Sequence, residues 1–419
     1  MKWIFLSLIS IYFIFSIAMA EEIISEGETL NLDRCIEIAL KRHPDVIAAM
    51  NNVNANQSRI GQAKADYYPQ IDWSSGYSRY SDASETTDEY SSSVTMRQNI
   101  YDFGKTSTQV NIQSLNLNAS GSDLENVIQQ VIFNVKQAYY RILQAKDNRD
   151  VALETIKQFQ QHLEQAKGFY EVGTKPKFDV TKAEVDISNA KLNLIRAENV
   201  LRIAKVTLNN AMGVPEAPEY EIVGNLSFEK HIITLEDAIQ KAYKERHDLR
   251  SFILKGRSAE KAIELAKKDY YPVVTGNATY NWSGEKFPLE DGWDIGATIT
   301  FPLFSGFLTK YQVEEARANL NVLKANEESL RQSILLEVQE AYLSLHEAEE
   351  RIITSEIAVR QAEENLELAK GRYEVGVGNP IEFTDAIVVY VNAKMTHIQA
   401  IYDYKIAQAS LQWAMGLRQ

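Results

Sequence analysis

Asp66-Tyr67-Tyr68-Pro69-Gln70-Ile71-Asp72-Trp73-Ser74-Ser75-Gly76-Tyr77 returns later in the chain as Asp269-Tyr270-Tyr271-Pro272-Val273-Val274-Thr275-Gly276-Asn277-Ala278-Thr279-Tyr280. The Tyr-Tyr-Pro step is where the period of the sequence changes. Before it, apolar residues follow helical spacing; Pro69 and Pro272 bias the residue ahead of them towards extended geometry and end the helix. After it, the period is two. Ile71, Trp73, Ser75 and Tyr77 alternate with Gln70, Asp72, Ser74 and Gly76, while Val274, Gly276, Ala278, Tyr280 and Trp282 alternate with Thr275, Asn277, Thr279 and Asn281. Return strands repeat the pattern through Val94 and Met96, and through Trp293, Ile295, Ala297, Ile299 and Phe301. Each strand thus has an apolar face, with aromatics near its ends, and a face of Ser, Thr, Asn, Asp and Gly. Alternation by itself fits a half-buried soluble sheet as well as a membrane strand. A run of about 10 such residues is also what a tilted strand needs to cross a bilayer with lipid on one side and water on the other. The polar stretches Ser81 to Glu89 and Ser283 to Asp291 are expected as external loops.

The recurrence extends far beyond the strands. One offset of 203 residues pairs Leu32 with Leu235, Asp45 with Asp248, and Ala138-Tyr139 with Ala341-Tyr342. The same offset pairs Tyr170-Glu171-Val172-Gly173 with Tyr373-Glu374-Val375-Gly376, and Ala211-Met212-Gly213 with Ala414-Met415-Gly416. The chain reads as a tandem duplication, with repeats at 21–213 and 233–419 and a linker at 214–232 that contains Pro215, Pro218 and Gly224. Each repeat reads helix, strand, hairpin, strand, very long helix, tight turn, long helix. Asn31 and Thr234 stand where an N-cap would, opening short helices that break near His43-Pro44 and His247-Asp248.

Lys105 to Tyr170 and Leu308 to Tyr373 run without proline, about 99 Å each as helix and far longer than one globular core requires. The returning helices carry apolar seams spaced 3, 4, 3, 4. One is Val180, Ala183, Ile187, Ala190, Leu194, Ala197, Leu201, Ala204, Leu208, Ala211; its duplicate starts at Phe383 and Ala386 and ends at Leu411 and Ala414. Alternating a large residue with alanine lets helices approach closely in coiled-coil fashion. His397 is the polar member of the second seam and is expected as a packed histidine rather than a ligand. Four strands pose a separate problem: a membrane sheet must close, and four strands cannot close around a lumen, so several chains must share one barrel.

Composition narrows the partners. The 419 residues carry a formal charge of -13 with no cluster of Lys and Arg, which excludes a nucleic-acid reader. Lys2, the apolar run Trp3 to Ile17, and Ala18-Met19-Ala20 form a secretory signal pattern over residues 1–20; an uncleaved anchor is the other reading, disfavoured by the short run and small residues. No other stretch reaches 18 uncharged apolar residues, so no membrane-spanning helix is expected in the mature chain. Cys35, the lone cysteine, lies too far downstream to bear a lipid anchor and is expected as a small buried hydrophobe. His346-Glu347 begins like a zinc-protease helix motif, but Glu350 stands where the second histidine belongs. Phosphate loops and nucleophile elbows are absent from the sequence. Neither an enzyme nor a cofactor or metal is expected, and energy for any transport must come from a partner.

Together these residues resemble the TolC family of trimeric outer-membrane ducts over essentially the whole mature chain. The resemblance rests on the duplicated unit, the Tyr-Tyr-Pro steps, the strand exits Ile100-Tyr101-Asp102-Phe103-Gly104 and Pro302-Leu303-Phe304-Ser305-Gly306, the Tyr-Glu-Val-Gly turns and the Ala-Met-Gly helix ends. It implies a mainly α fold with a small β part, a trimeric duct. Four amphipathic strands per chain would join a shared 12-stranded barrel in outer-membrane lipid, and the long helices an α-barrel reaching into the periplasm. It also implies a periplasmic adaptor and an inner-membrane transporter as partners. Gly173, Thr174, Gly376, Gly378 and Asn379 fall at the adaptor-docking tip turns. Tyr170, Lys175, Asp179, Tyr373, Glu382 and Asp385 fall at the aperture, where three copies of each carboxylate would form a negative ring. Without the resemblance the same carboxylates read more readily as solvated loop charges. Gly378 departs from the family pattern, which has an arginine there in its best-known member; that puts the closed-state lock in question. The expected function is a passive exit duct for efflux. Type I protein secretion is the nearest alternative, and a periplasmic coiled-coil scaffold outside the membrane is the alternative of a different class.

Overall fold

A computed structural model describes residues 24–81, 85–224 and 233–418. The expected signal segment, and residues 225–232 of the expected linker, lie outside the described residues. The first half runs β1 (Thr29–Leu30), α1 (Leu32–Arg42), α2 (Pro44–Lys64), a 3-10 turn at Ala65–Tyr67, β2 (Gln70–Ser81), β3 (Thr86–Tyr101), α3 (Lys105–Glu171) and α4 (Lys177–Ala211). The second half runs β4 (Glu221–Ile222), α5 (Leu235–Glu245), α6 (His247–Lys268), β5 (Val273–Gly284), β6 (Glu290–Thr300), α7 (Leu308–Glu374) and α8 (Pro380–Ala414). Local chemistry sets the boundaries. Asn31 accepts a hydrogen bond from the Arg34 N–H at 2.8 Å and Thr234 one from the Asp237 N–H at 3.2 Å, capping α1 and α5. The break between α5 and α6 falls at Arg246, one residue before the expected position and at the offset that matches His43.

The sheet has the order β2-β3-β5-β6, antiparallel throughout. Register aligns side chains of one kind across all four strands. Ile71, Met96, Ala278 and Ile295 form one row and Trp73, Val94, Tyr280 and Trp293 the next, all on one face. Asp72, Thr95, Thr279 and Asp294 form a row on the other face, where Arg97 pairs with Asp72 at 3.0 Å. In the single chain the apolar face is bare: Trp73 and Trp293 are each 73% exposed. The outer edges of β2 and β6 pair with no strand among the described residues. Residues 82–84 of the first expected loop lie outside the described residues, and the rest of both expected loops is shorter than expected. Pairing continues to Ser81–Thr86 and to Ser283–Glu290, so Asp88, Glu89 and Glu290 belong to strands rather than loops. The Tyr77 hydroxyl donates to Asp88 at 2.8 Å and Tyr280 to Asp291 at 2.6 Å, and these cross-strand bonds carry the ladders past the polar residues.

Two helical hairpins, α3–α4 and α7–α8, extend from the sheet. α3 and α7 are 67 residues each, about 100 Å of helix. The seam of α4 is buried or half-buried at every position, and so is that of α8, where His397 Nδ1 lies 3.0 Å from the Ser355 hydroxyl. α3 also packs on α8 directly: the Tyr402 hydroxyl donates to Asp147 at 2.7 Å and Lys394 pairs with Glu154 at 2.5 Å. At mid-length α1 and α5 cover the hairpins. The core under α1 holds Cys35, Ile38, Val135 and Leu208. The expected linker carries structure where it is described: β4 pairs in parallel with β1, and Tyr220 and Ile222 are buried in that core. No helix among the described residues is long and apolar enough to cross a membrane.

Candidate functional site

The two tight turns lie together at the far end of the hairpins from the sheet. Each long helix ends on a glycine in left-handed geometry, Gly173 at φ 75° and Gly376 at φ 82°. In the first turn the Thr174 hydroxyl and N–H both donate to the Phe169 carbonyl, each at 2.9 Å, and Pro176 leads into α4. In the second, the Gly378 N–H donates to the Arg372 carbonyl at 2.8 Å, Asn379 caps α8 by accepting from the Ile381 N–H at 2.9 Å, and Pro380 occupies its first turn. Gly378 is a steric necessity here. A Cβ on it would lie 2.8 Å from the Tyr373 nitrogen and 2.9 Å from the Arg372 carbonyl carbon, so the tighter wrap of this turn excludes any side chain. That accounts for the departure at this position.

The first turn compensates across the gap. Lys175, at the repeat position of Gly378, reaches over so that its Nζ donates to the Gly378 carbonyl at 3.4 Å and sits 5.6 Å from the centre of the Tyr373 ring. The two tyrosines related by the repeat have opposite surroundings. Tyr170 is 47% exposed, whereas Tyr373 is fully buried, stacked on Phe383 at 5.6 Å and edge-on to His162 at 4.9 Å and Phe169 at 5.7 Å. The Tyr373 hydroxyl has no hydrogen-bond partner, and burial, with Asp179 adding, pushes its pKa above the usual phenol value.

The three expected carboxylates are not equivalent. Asp179 and Glu382 sit in the first turns of α4 and α8, where the positive end of the helix dipole favours an anion. Asp179 is buried, Glu382 forms an ion pair with Arg372, whose Nε lies 3.1 Å from its Oε1, and Asp385, one turn further along α8, is exposed. Sequence reading missed Phe169, Arg372 and His162. Phe159, His162, Ala166 and Phe169 follow the spacing 3, 4, 3, and that seam within α3 was the available signal.

The model of the outer membrane efflux protein family matches residues 35–214 and again 238–417. The chain belongs to the outer membrane efflux protein family. Outer membrane protein TolC of Salmonella enteritidis is 23% identical over 411 residues, spanning 92% of this chain and 82% of its own length. Toxin and drug export protein A of Aggregatibacter actinomycetemcomitans is 22% identical, over 71% of this chain and 66% of that one. Among solved structures, the Campylobacter jejuni CmeC outer membrane channel superposes with a TM-score of 0.82 at 17% identity, covering 92% of this chain and 85% of that chain, which shows a shared fold. As a family member this protein is an exit duct of an efflux or export system, seated in the outer membrane and extending into the periplasm. Its relatives are channels rather than enzymes. A scaffold that never enters the membrane, the alternative of a different class, does not fit this membership.

Proposed function

We propose that three copies of this chain close into one passive duct, with twelve strands around its outer-membrane end and the four tip-forming helices of each copy around its periplasmic end. The observation that carries this is the sheet with two unpaired edges and an apolar face open to its surroundings. Unpaired N–H and C=O groups along β2 and β6 are untenable in hydrocarbon. Because the four strands alternate in direction, β6 of one copy meets β2 of the next antiparallel, and a ring of identical copies removes every edge. Exposed Leu192, Ile195, Ile203 and Val206 on α4 give the helical part an apolar flank for the neighbouring copy. The division into repeats at 21–213 and 233–419 is part of the same reading.

At the tip, Lys175, Asp179, Tyr170, Tyr373, Glu382 and Asp385 form or support the aperture, and the turns carrying Gly173, Thr174, Gly376, Gly378 and Asn379 receive a periplasmic adaptor coupled to an inner-membrane transporter. The chain itself performs no catalysis. Cysteine pairs, one in β2 and one in β6 of the same chain, test the assembly. Oxidised outer membranes should give cross-linked dimers and trimers only for β2–β6 combinations, and heat-modifiable trimer migration in gels. A soluble monomer without such cross-links overturns the proposal.

A further inference from the structure

His162 lies on α3 about 14 Å before its last residue, 1% exposed, and neither Nδ1 nor Nε2 has a hydrogen-bond partner. Its ring stands edge-on to Tyr373 at 4.9 Å and to Phe383 at 5.0 Å, so it is the wedge that seats α3 against the α7–α8 hairpin. Beside it is a cavity of about 140 Å3, walled by Gln158 and Gln165 of α3, Glu367 and Lys370 of α7, and Phe383 of α8. The Gln158 side-chain oxygen is also buried without a partner. An imidazole so placed favours the neutral species. Charging it would add a second N–H donor where no acceptor is arranged.

The surrounding charges do not relieve this. α4 offers Asp186, but Lys182 already holds that carboxylate at 2.5 Å, and the Thr384 hydroxyl of α8 donates to its other oxygen at 3.4 Å. α7 presents the Tyr373 phenol together with Glu367 and Lys370, one charge of each sign. α3 itself lines the cavity with glutamines. Burial accordingly pushes the His162 pKa below its ordinary 6.5, with Asp186 opposing and Lys182 adding to the fall. Above about pH 6.5 the packed tip is undisturbed; below it, a parted tip that wets the ring takes up a proton more readily than the packed tip, and the parted state gains.

We propose that His162 is an acid-responsive wedge, whose protonation shifts the tip from the packed towards a parted arrangement so that the periplasmic end of the duct loosens as the periplasm acidifies. The inference rests on the tip being the inner aperture of the duct. Full-length protein in planar bilayers, acidified on the tip side from pH 7.5 to 5.5, should gain open probability by up to about tenfold for each unit separating the packed and parted pKa values. His162→Phe, which fills the aromatic cluster, and His162→Gln, which keeps a polar group, should both be flat over that range. An identical acid response in wild type and both variants overturns the proposal, since it would then belong to the carboxylates. Hydrogen–deuterium exchange of detergent-solubilised protein, corrected for intrinsic rates, reads the same step without a current. Peptides within 155–187 and 366–390 should lose protection at pH 5.5 in wild type only, and unchanged protection there overturns the wedge whether or not the duct conducts.

Discussion

The Lys175 ammonium, carried on the first tip turn, lies 3.4 Å from the Gly378 carbonyl oxygen on the second, so one flexible side chain ties the ends of the two helical hairpins together. Where the first turn has Lys175, the matching position of the second turn is Gly378, whose backbone carbonyl is the acceptor.

Lys175→Met should loosen this tie while keeping most of the stem that covers the Tyr373 ring. Its ammonium is only half-buried, so the loss should stay below about 1 kcal/mol. Amide exchange in the two turns should rise a few fold, with the helices beyond unaffected. Equal protection in the variant would show that the lysine contact contributes nothing in solution.

Gly378→Ala should cost more than Gly173→Ala, although only the latter glycine has a positive φ. At Gly173 the added methyl group meets nothing within 4 Å, and the cost is the left-handed backbone alone, about 1 kcal/mol. At Gly378 the methyl meets the Tyr373 and Arg372 backbone below 3.0 Å, and displacing the turn should cost about 1–3 kcal/mol. Tip-peptide exchange free energies measured on both variants give the order; a reversed order would mean the second turn has room.

Tyr373→Phe should be neutral or slightly stabilising. The hydroxyl removed is buried and unpartnered, so its loss relieves a desolvation cost of about 1 kcal/mol or more. Phe383→Ala, which opens a cavity beside the same ring, should destabilise the tip by about 3–5 kcal/mol. Thermal unfolding followed by tip-local exchange separates the two.

Cys35 should behave as an inert thiol. Burial pushes its pKa up from 9.0 to about 12, so the native fold holds the neutral thiol. The sign follows: this contribution to stability is complete below about pH 9 and is lost as pH rises towards 12. Maleimide labelling at pH 8 should be more than about a hundredfold slower in folded protein than in urea. Rapid labelling of the folded protein would mean that the core under α1 opens readily.

Much of the architecture was legible because its signals are long-range and periodic. Two repeats in register, a period-two stretch after each Tyr-Tyr-Pro and unbroken helical runs specify the elements whatever their neighbours. The tip was legible only in part. Glycine and proline marked both turns, since backbone geometry demands them. The contrasting fates of Tyr170 and Tyr373 could not be read from identical Tyr-Glu-Val-Gly motifs. They depend on α3 packing against α8, a contact between the repeats that sets Phe383 and His162 around one ring and leaves the other bare. The hairpin ends were misplaced for a related reason: polar residues such as Asp88 read as loop in one dimension, but in the sheet they have tyrosine partners across the ladder.

Ion selectivity should follow the pairing of the tip charges rather than their number. Glu382 is matched by Arg372 on the facing helix, while Asp385 is exposed beyond that pair. If these residues ring the aperture in three copies, Asp385→Asn removes net negative charge and should lower cation preference. Arg372→Gln unmasks Glu382 and should raise it. Arg372→Gln combined with Glu382→Gln deletes the pair as a unit and should leave selectivity close to wild type, because the net charge of the ring is unchanged. Reversal potentials in a potassium chloride gradient across planar bilayers measure all three. A double variant shifted as far as Asp385→Asn would mean that Arg372 and Glu382 face different solvent and do not screen one another.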